Sequence, residues 1–190
     1  MSENIANISE QQLAERLKCS DRLAQKALYD KYVGSLTAIC SRYITGADDV
    51  KDVMQEAFVK IFTQFNMFTY RGEGSLRAWL TRIVVNVSLT WLKTNGRLNL
   101  VRDDLVSVKA TADEEPDAEG VPPARLHEMI RRLPDGYRTV LNLYVFEDKS
   151  HKEIAEILGI KAASSASQLF HAKAMMARMI NEYKRNVLYR

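Results

Sequence analysis

The stretch from Ser75 to Lys93 constrains the fold most, because its apolar residues recur at every third or fourth position. Those residues are Leu76, Trp79, Leu80, Ile83, Val84, Val87 and Trp91. This spacing is typical of a helix with one buried face, and the Ser75 hydroxyl suits an N-cap that accepts a backbone N–H bond. Residues four apart share a helix face, so Arg82, Asn86 and Thr90 fall together on another side, with Lys93 near them. We therefore predict one long helix with a polar, basic outer face.

The charge around this helix is one-sided. No acidic residue occurs between Gly74 and Arg102, whereas the basic residues in that interval are Arg77, Arg82, Lys93, Arg97 and Arg102. The preceding loop, Arg71–Gly74, combines two glycines with charge and offers nothing apolar to pack. A basic face entered through such a loop is typical of contact with a polyanion that carries bases. A solvated helix face is the alternative, and we interpret Trp79 and Trp91 as core residues rather than base-stacking ones.

Composition disfavours several classes of protein. The 190 residues suffice for one ordinary domain or two small ones, and the net charge is +3. Cys19 and Cys40 lie far apart and outside any CxxC motif, so we predict two buried thiols in a reducing compartment. The three histidines are isolated, and neither a P-loop nor a nucleophile beside a plausible histidine is present. We expect no metal, no cofactor, no small-molecule substrate and no enzymatic activity.

The beginning of the chain is polar and acidic, without the basic start and apolar run of a signal peptide. No window has enough consecutive apolar residues to cross a bilayer. We therefore expect a soluble, cytoplasmic protein without membrane insertion.

Three further helices are predicted before the basic one. Ser9 and Gln12 have capping-box spacing, Ser20 or Asp21 suits a second N-cap, and Ala47 opens a third helix. The apolar residues of the second and third helices are Leu28, Tyr32, Leu36, Ile39, Tyr43, Val50, Val53, Met54, Ala57, Ile61 and Phe65. The outer face of the third helix carries Asp49, Asp52, Gln55, Glu56 and Lys60. We predict that these elements bury one core and form a first domain over residues 1–95.

Residues 96–123 are predicted to be a linker. Acidic residues crowd there between small residues and helix breakers, and they are Asp113, Glu114, Glu115, Asp117 and Glu119. So few apolar side chains cannot offset the entropy of ordering the segment. The charge either keeps it solvated, which we favour, or weakens improper contact with DNA. A second domain follows over residues 124–190, so we predict an all-α fold of two small helical domains joined by a flexible acidic linker.

The second domain contains the pattern of a helix-turn-helix. Ser150 and Glu153 have capping-box spacing, Gly159 permits the positive φ of a tight turn, and a long last helix begins near Ala163. In such a motif the start of the second helix enters the major groove of DNA. The residues placed to meet bases or phosphates are Lys161, Ser164, Ser167, Gln168 and, further along, Lys173. An ordinary helical hairpin is the alternative.

Three segments resemble the extracytoplasmic-function branch of the bacterial sigma-70 family, the dissociable promoter-specificity subunits of RNA polymerase. They are DDVKDVMQEAFVKIF at Asp48–Phe62, GEGSLRAWLTRIVVNVSLTWLK at Gly72–Lys93, and LPDGYRTVLNLYVFEDKSHKEIAEILGI at Leu133–Ile160. Their order, spacing and intervening acidic linker match as well, so the resemblance covers nearly the whole chain. It implies a factor that docks on core polymerase, recognises a two-part promoter and assists strand separation.

The resemblance also implies roles for individual residues. In such proteins the first segment docks on the clamp helices of the largest polymerase subunit, which implies core polymerase binding by Asp49, Asp52, Gln55, Glu56 and Phe58. The second segment melts and reads the minus-ten element, with a flipped base held by the loop Phe68–Ser75. This implies DNA binding by Arg71, Arg77, Arg82, Asn86, Thr90 and Lys93. The helix-turn-helix is expected to read the minus-thirty-five element.

The last helix departs from the family pattern. The family usually has a basic residue where Ala166 stands, and often another where His171 stands. Each missing phosphate contact weakens DNA binding and flattens its salt dependence. Phe170 occupies a position that is more often polar; we interpret it first as core, with a thymine-methyl contact or a surface for an anti-sigma partner as alternatives. A stand-alone helix-turn-helix regulator is the alternative function, and it would bind duplex DNA without polymerase.

Overall fold

The computed structural model describes residues 8–96 and 116–188, and the regular secondary structure in those ranges is helical, as predicted. The helices are α1 (Glu10–Lys18), α2 (Arg22–Tyr43), α3 (Ala47–Thr63), α4 (Ser75–Thr94), α5 (Pro123–Arg131), α6 (Asp135–Val145), α7 (His151–Leu158) and α8 (Ala162–Leu188), with a 3₁₀ turn at Phe65–Met67. The chain divides into two compact units, Met1–Leu92 and Lys93–Arg190. Residues 97–115 of the predicted linker, with Arg97 and Arg102, lie outside the described residues. The domain boundaries drawn from the sequence stay predictions.

The first unit has a core to which α2, α3 and α4 contribute the residues that the periodic pattern selects. Fully buried side chains there are Leu28 and Leu36 of α2, Ala57 and Ile61 of α3, and Leu76, Leu80 and Val84 of α4. Burying one Leu, Ile or Val side chain contributes about 1.5–3 kcal/mol. The buried stripe of α4 therefore determines which of its faces remains exposed.

Trp79 belongs to an aromatic cluster at the start of α4. The centroid of its ring lies 5.4 Å from those of both Phe65 and Phe68, and these two phenylalanines are buried. Tilted and edge-to-face ring pairs at such distances are favourable. The cluster supports the interpretation of Trp79 as a core residue, although Trp79 and Trp91 are both half-buried.

Polar side chains cap the N-termini of α1 and α2, as the sequence predicts. The Ser9 hydroxyl accepts the N–H of Gln12 at 3.2 Å, while Gln12 Oε1 accepts the N–H of Ser9 at 3.1 Å. Asp21 Oδ1 accepts the N–H of Leu23 at 2.8 Å. These bonds satisfy backbone donors that have no partner within a helix, so both helix starts are fixed locally.

The two cysteines have different environments, and the prediction that both are buried is wrong for one of them. Cys40 is fully buried within α2, where its Sγ lies 3.7 Å from the hydroxyl of Ser88. Cys19 is exposed, because it follows the last residue of α1 in the turn before α2.

In the second unit α8 packs against α5, α6 and α7. Core side chains there include Val140, Leu143, Ile154, Ala172 and Ile180. A buried cation lies among them: Arg138 is 2% exposed and was not predicted from the sequence. Its Nη1 donates to the carbonyl oxygens of Leu133 at 2.7 Å and Arg131 at 3.4 Å, and its Nη2 pairs with the carboxylate of Asp135. Arg138 thus ties the end of α5 to the start of α6.

Helices α7 and α8 form the predicted helix-turn-helix. The Ser150 hydroxyl accepts the N–H of Glu153 at 3.3 Å, and the Glu153 carboxylate accepts the N–H of Ser150 at 2.9 Å. Hydrogen bonds from the backbone and hydroxyl of Ser150, and then from Lys149, lower the pKa of Glu153 to about 2. Gly159 ends α7 at a φ of +74°, in the left-handed region that glycine adopts at little cost. Both ends of α7 are therefore fixed by local chemistry.

Phe170 is 46% exposed, so its first interpretation as a core residue is wrong. The buried positions of α8 on either side, Leu169, Ala172 and Met176, are three or four residues apart. A step of one residue turns about 100° around a helix, which carries Phe170 out of that stripe. Its ring lies 5.5 Å from the ring of His171 in an edge-to-face arrangement.

Candidate nucleic-acid interface

The outer face of α4 carries the predicted polar and basic row. The residues of that row are Arg82, Asn86, Thr90 and Lys93, and each is exposed. Arg77 is also exposed, but it stands five residues before Arg82 and so lies on another side of the helix. The opposite face is buried through Leu80 and Val84, so rotation of the helix is constrained by packing. The Thr90 hydroxyl donates to the carbonyl oxygen of Asn86 at 2.9 Å. The first unit therefore presents Arg82, Asn86 and Thr90 on an exposed helix face, as the four-residue spacing predicts.

The loop before α4 combines a buried anchor with an exposed tip. Phe68 is buried, Tyr70 is half-buried, and Arg71 is exposed. Gly72 and Gly74 have φ values of +116° and +86°, a region that side-chain-bearing residues rarely adopt. The two glycines thus allow the chain to turn sharply between the aromatic cluster and the first residue of α4.

The first turn of α4 is capped from a distant helix, and the predicted N-cap at Ser75 is wrong. Ser75 is the first residue of α4, and its hydroxyl donates to the carbonyl oxygen of Gly72 at 2.6 Å. The carboxylate of Glu10, in α1, accepts the N–H of Gly74 at 3.1 Å and that of Leu76 at 2.8 Å. The Ser75 hydroxyl lies 3.5 Å from the same carboxylate. Sequence reasoning missed Glu10, because an acid in the first turn of α1 is already explained by that helix's own dipole.

Glu10 and Arg77 share a neighbourhood with the Tyr32 hydroxyl. Burial raises the pKa of Tyr32, the negative charge of Glu10 raises it further, and the positive charge of Arg77 lowers it. Opposite charges thus lie at the start of α4, where α1 and α2 meet it. Glu10 is itself half-buried.

The exposed face of α3 is polar and partly acidic. Asp52, Gln55 and Glu56 are exposed, and Asp49 is half-buried. Glu56 forms an exposed ion pair with Lys60 at 2.7 Å. These side chains lie where a partner can reach them, as the assignment to core polymerase requires.

Phe58 differs from the other residues of that assignment, because it is only 7% exposed. It lines a groove of about 440 Å³ between α2 and α3, with its ring 4.8 Å from that of Tyr29. Val59 and Tyr29 are 57% and 45% exposed at this groove. An apolar groove therefore adjoins the polar face of α3. Sequence reasoning missed it, because Tyr29 and Val59 fall outside the apolar periodicity of their helices.

The start of α8 presents fewer polar groups than predicted. Lys161 is exposed, and Ser164, Ser167 and Lys173 are half-buried. Gln168 is 3% exposed, and among the described residues its Oε1 has no hydrogen-bond partner. The exposed positions between Lys161 and Phe170 are Ala162, Ala163 and Ala166. The surface that this helix start offers to DNA is accordingly small and poor in charge.

Ser165 fixes the start of α8 to that of α7. It is fully buried, and its hydroxyl lies 3.0 Å from Nδ1 of His151. The His151 ring stacks on that of Tyr144 with centroids 5.0 Å apart. This contact sets how the two helices of the motif meet.

Two further findings concern other kinds of site. In residues 8–96 and 116–188, no group of three or more His, Cys, Asp or Glu side chains could hold a metal ion. Within the same ranges, no helix is both long and apolar enough to cross a membrane.

Comparison with known proteins identifies the family. Models of sigma-70 region 2 and sigma-70 region 4 match residues 28–98 and 124–176. The ECF RNA polymerase sigma-E factor of Escherichia coli (strain K12) is 30% identical over 178 residues, which cover 87% of this chain and 91% of that protein. The protein of the same name from Haemophilus influenzae is 28% identical over 184 residues, covering 91% and 96% of the two chains.

A solved structure with a similar chain is titled "Structure of CnrH in complex with the cytosolic domain of CnrY". It is 23% identical, with a TM-score of 0.48, and the match covers 91% of this chain and 97% of that one. Two family models in the predicted order and a relative matched over nearly its whole length confirm the resemblance seen in the sequence. The chain belongs to the sigma-70 family of RNA polymerase sigma factors, in its extracytoplasmic-function branch.

Proposed function

We propose that this chain directs promoter-specific initiation of transcription by docking on core RNA polymerase and opening promoter DNA through its first unit. The observation that carries the proposal is that this unit exposes a polar, acidic face on α3 and a basic row on α4. Two surfaces of opposite character suit two partners, one a protein and the other a polyanion.

The α3 face and its groove suit docking on core polymerase. Asp52, Gln55 and Glu56 supply exposed polar groups, and the neighbouring groove supplies apolar area around Phe58. A protein interface typically combines such an apolar centre with a polar rim. Phe58 would then act as the floor of the groove rather than as an exposed anchor, and Asp49 would contribute from the rim.

The α4 row and the preceding loop suit DNA with separated strands. Arg71, Arg77, Arg82 and Lys93 provide positive charge for phosphates, and Asn86 can hydrogen-bond a base edge. Taking a base out of the stack costs a few kcal/mol. Cationic and stacking contacts, together with a pocket in the loop Phe68–Ser75, can offset that cost.

The helix-turn-helix suits a weak upstream contact. Lys161, Ser164, Ser167 and Lys173 keep at least part of their surface at the start of α8, whereas Gln168 is buried. We therefore assign recognition of the minus-thirty-five element to α8, which should make few phosphate contacts there. The chain acts without catalytic activity of its own, in the cytoplasm where promoters and polymerase meet; an anti-sigma partner stays a prediction from the sequence.

The proposal is tested by run-off transcription with purified core polymerase and a pool of genomic promoters. Adding the chain should produce discrete transcripts that core polymerase alone does not make. Asp52→Lys should reduce association with core polymerase by about tenfold or more, because it places a cation on a polar, acidic docking face. Glu15→Lys, an equal charge change at an exposed residue of α1, is the matched control. Absence of new transcripts would refute the proposal, and equal affinity of Asp52→Lys and wild type would refute the docking surface.

A further inference from the structure

Helix α1 places a carboxylate at the start of α4. The packing of α1 itself does not require this carboxylate. Leu13, Ala14 and Leu17 bury α1 against the first unit, whereas Glu10 lies at the opposite end, in its first turn. Its two oxygens accept backbone N–H groups from Gly74 and Leu76 at 3.1 and 2.8 Å. The contact joins residues 64 and 66 positions apart in the chain.

The bonds to Glu10 act on the part of α4 where the loop becomes helix. The first N–H groups of a helix have no partner within it, and a negative charge there is favoured by the helix dipole. Hydrogen bonds to a charged acceptor are about twice as strong as neutral ones. Glu10 therefore binds the loop backbone from another helix, at Gly74, which is one of the two glycines of this loop with positive φ.

The rest of the loop is held by bonds that converge on the same point. The Ser75 hydroxyl accepts the N–H of Arg71 at 3.2 Å and donates to the carbonyl oxygen of Gly72 at 2.6 Å. That hydroxyl is also 3.5 Å from Glu10. Glu10, Ser75 and the backbone of residues 71–76 thus form one connected network, which fixes the path of the loop between the aromatic cluster and α4.

We infer that Glu10 is a positioning residue that pre-forms the loop Phe68–Ser75 for capture of a base from the opened promoter strand. The inference rests on the proposed function, in which this loop faces separated DNA. A loop already ordered in its binding conformation loses less entropy when DNA binds, and the affinity rises accordingly. Glu10 reaches DNA only through the loop, because its oxygens are engaged by backbone donors.

The test separates loop positioning from general stability. Glu10→Ala removes both acceptor oxygens, Glu10→Gln keeps one without the charge, and Glu15→Gln changes an exposed acid of α1 that bonds only Gln11 among the contacts described. Three quantities are measured for each variant: affinity for core polymerase, permanganate reactivity of unpaired thymines on a promoter that wild type transcribes, and amide exchange of the isolated chain.

We expect Glu10→Ala to lower open-complex formation by about tenfold or more, because the loss of a single charge-assisted hydrogen bond has that effect and this variant loses two. Glu10→Gln should lie between alanine and wild type, and Glu15→Gln should remain within about twofold of wild type. Affinity for core polymerase should not change. The amide of Leu76 should exchange about tenfold faster in Glu10→Ala, while that of Leu80, which is bonded within α4, keeps its rate.

Four results would overturn the inference. Unchanged opening by Glu10→Ala with an active wild type refutes it and leaves the proposed function standing. Equal losses of polymerase affinity and opening reduce Glu10 to a structural cap. An inactive wild-type chain refutes the proposed function itself, and unchanged exchange at Leu76 refutes the contact independently of transcription.

Discussion

The buried ion pair of the second unit leads to a quantitative prediction. Asp135→Ala removes the carboxylate that faces the guanidinium of Arg138, whose side chain is 2% exposed while that of Asp135 is 29% exposed. Arg138 then stays in the core, where its Nη1 still donates to the carbonyl oxygens of Leu133 and Arg131. The variant therefore takes the carboxylate of Asp135 away from a buried guanidinium.

The expected loss of folding stability depends on which partner of the ion pair remains buried. Removing one partner of a buried ion pair costs about 3–5 kcal/mol. The acceptors that Arg138 retains, including the carbonyl oxygens of Leu133 and Arg131, place the value near the lower end, at about 3 kcal/mol. A domain of this size has a stability of roughly 5–15 kcal/mol, so the second unit should lose a large fraction of its stability. The double variant Asp135→Ala with Arg138→Met should recover part of the loss, because it removes the buried guanidinium as well.

The two units can be followed separately in one denaturation experiment. Both tryptophans, Trp79 and Trp91, lie in α4, so tryptophan fluorescence reports the first unit, whereas far-UV circular dichroism reports both. We expect Asp135→Ala to create an early transition in circular dichroism while the fluorescence midpoint stays in place. Glu156→Ala, at an exposed residue of α7, should change stability by less than about 0.5 kcal/mol. A loss below about 1 kcal/mol, or a double variant less stable than Asp135→Ala, would refute the reasoning.

Two further predictions concern buried groups. Burial raises the pKa of the Cys40 thiol to about 11, while a hydrogen bond with Ser88 lowers this pKa by a smaller amount. At about pH 8 almost none of the Cys40 side chain is therefore thiolate. A disulfide reagent should react rapidly with Cys19 alone, and rapid reaction of two thiols in the folded chain would contradict this. Gln168→Met removes a buried amide oxygen without a hydrogen-bond partner in the described structure, so urea denaturation should show stability unchanged or raised by about 1 kcal/mol, with transcription unaffected. Reduced transcription at unchanged stability would instead restore Gln168 as a DNA contact.

Local patterns in the sequence predict the helices because their causes are local. The spacing of apolar residues in α4 and the capping boxes at Ser9 and Ser150 each involve residues within one or two turns. The polar row on α4 follows from the same periodicity. The sequence alone was therefore sufficient for the fold class, the exposed face of α4 and the ends of α7.

What the sequence did not predict depends on contacts between distant segments. No pattern within α1 distinguishes Glu10 from an ordinary first-turn acid, because its partner lies 64 residues away. Arg138 and Gln168 look like solvated residues by type, yet neighbouring helices enclose them. Phe58 was assigned by its position in a motif, whereas in the structure its buried ring packs against Tyr29 of another helix. Residue type and spacing determine which helix face a side chain occupies, but not what another helix places over it.

On the proposed function, the first unit provides more of the salt-dependent free energy of promoter binding than the start of α8 does. Its exposed cations Arg71, Arg77 and Arg82 outnumber those at the start of α8, where Lys161 is exposed and Lys173 is half-buried. Each phosphate contact steepens the fall of log affinity with log salt concentration by about 0.9 on duplex DNA and about 0.7 on single strands. More of the salt-dependent affinity therefore comes from the unit that opens the strands. Opening a promoter sequence that resists unstacking costs a few kcal/mol. The contacts that supply the affinity must also offset this cost. Promoters are therefore discriminated mainly at the opening step, which is why a residue that shapes the loop, such as Glu10, should matter more for promoter choice than any side chain of α8.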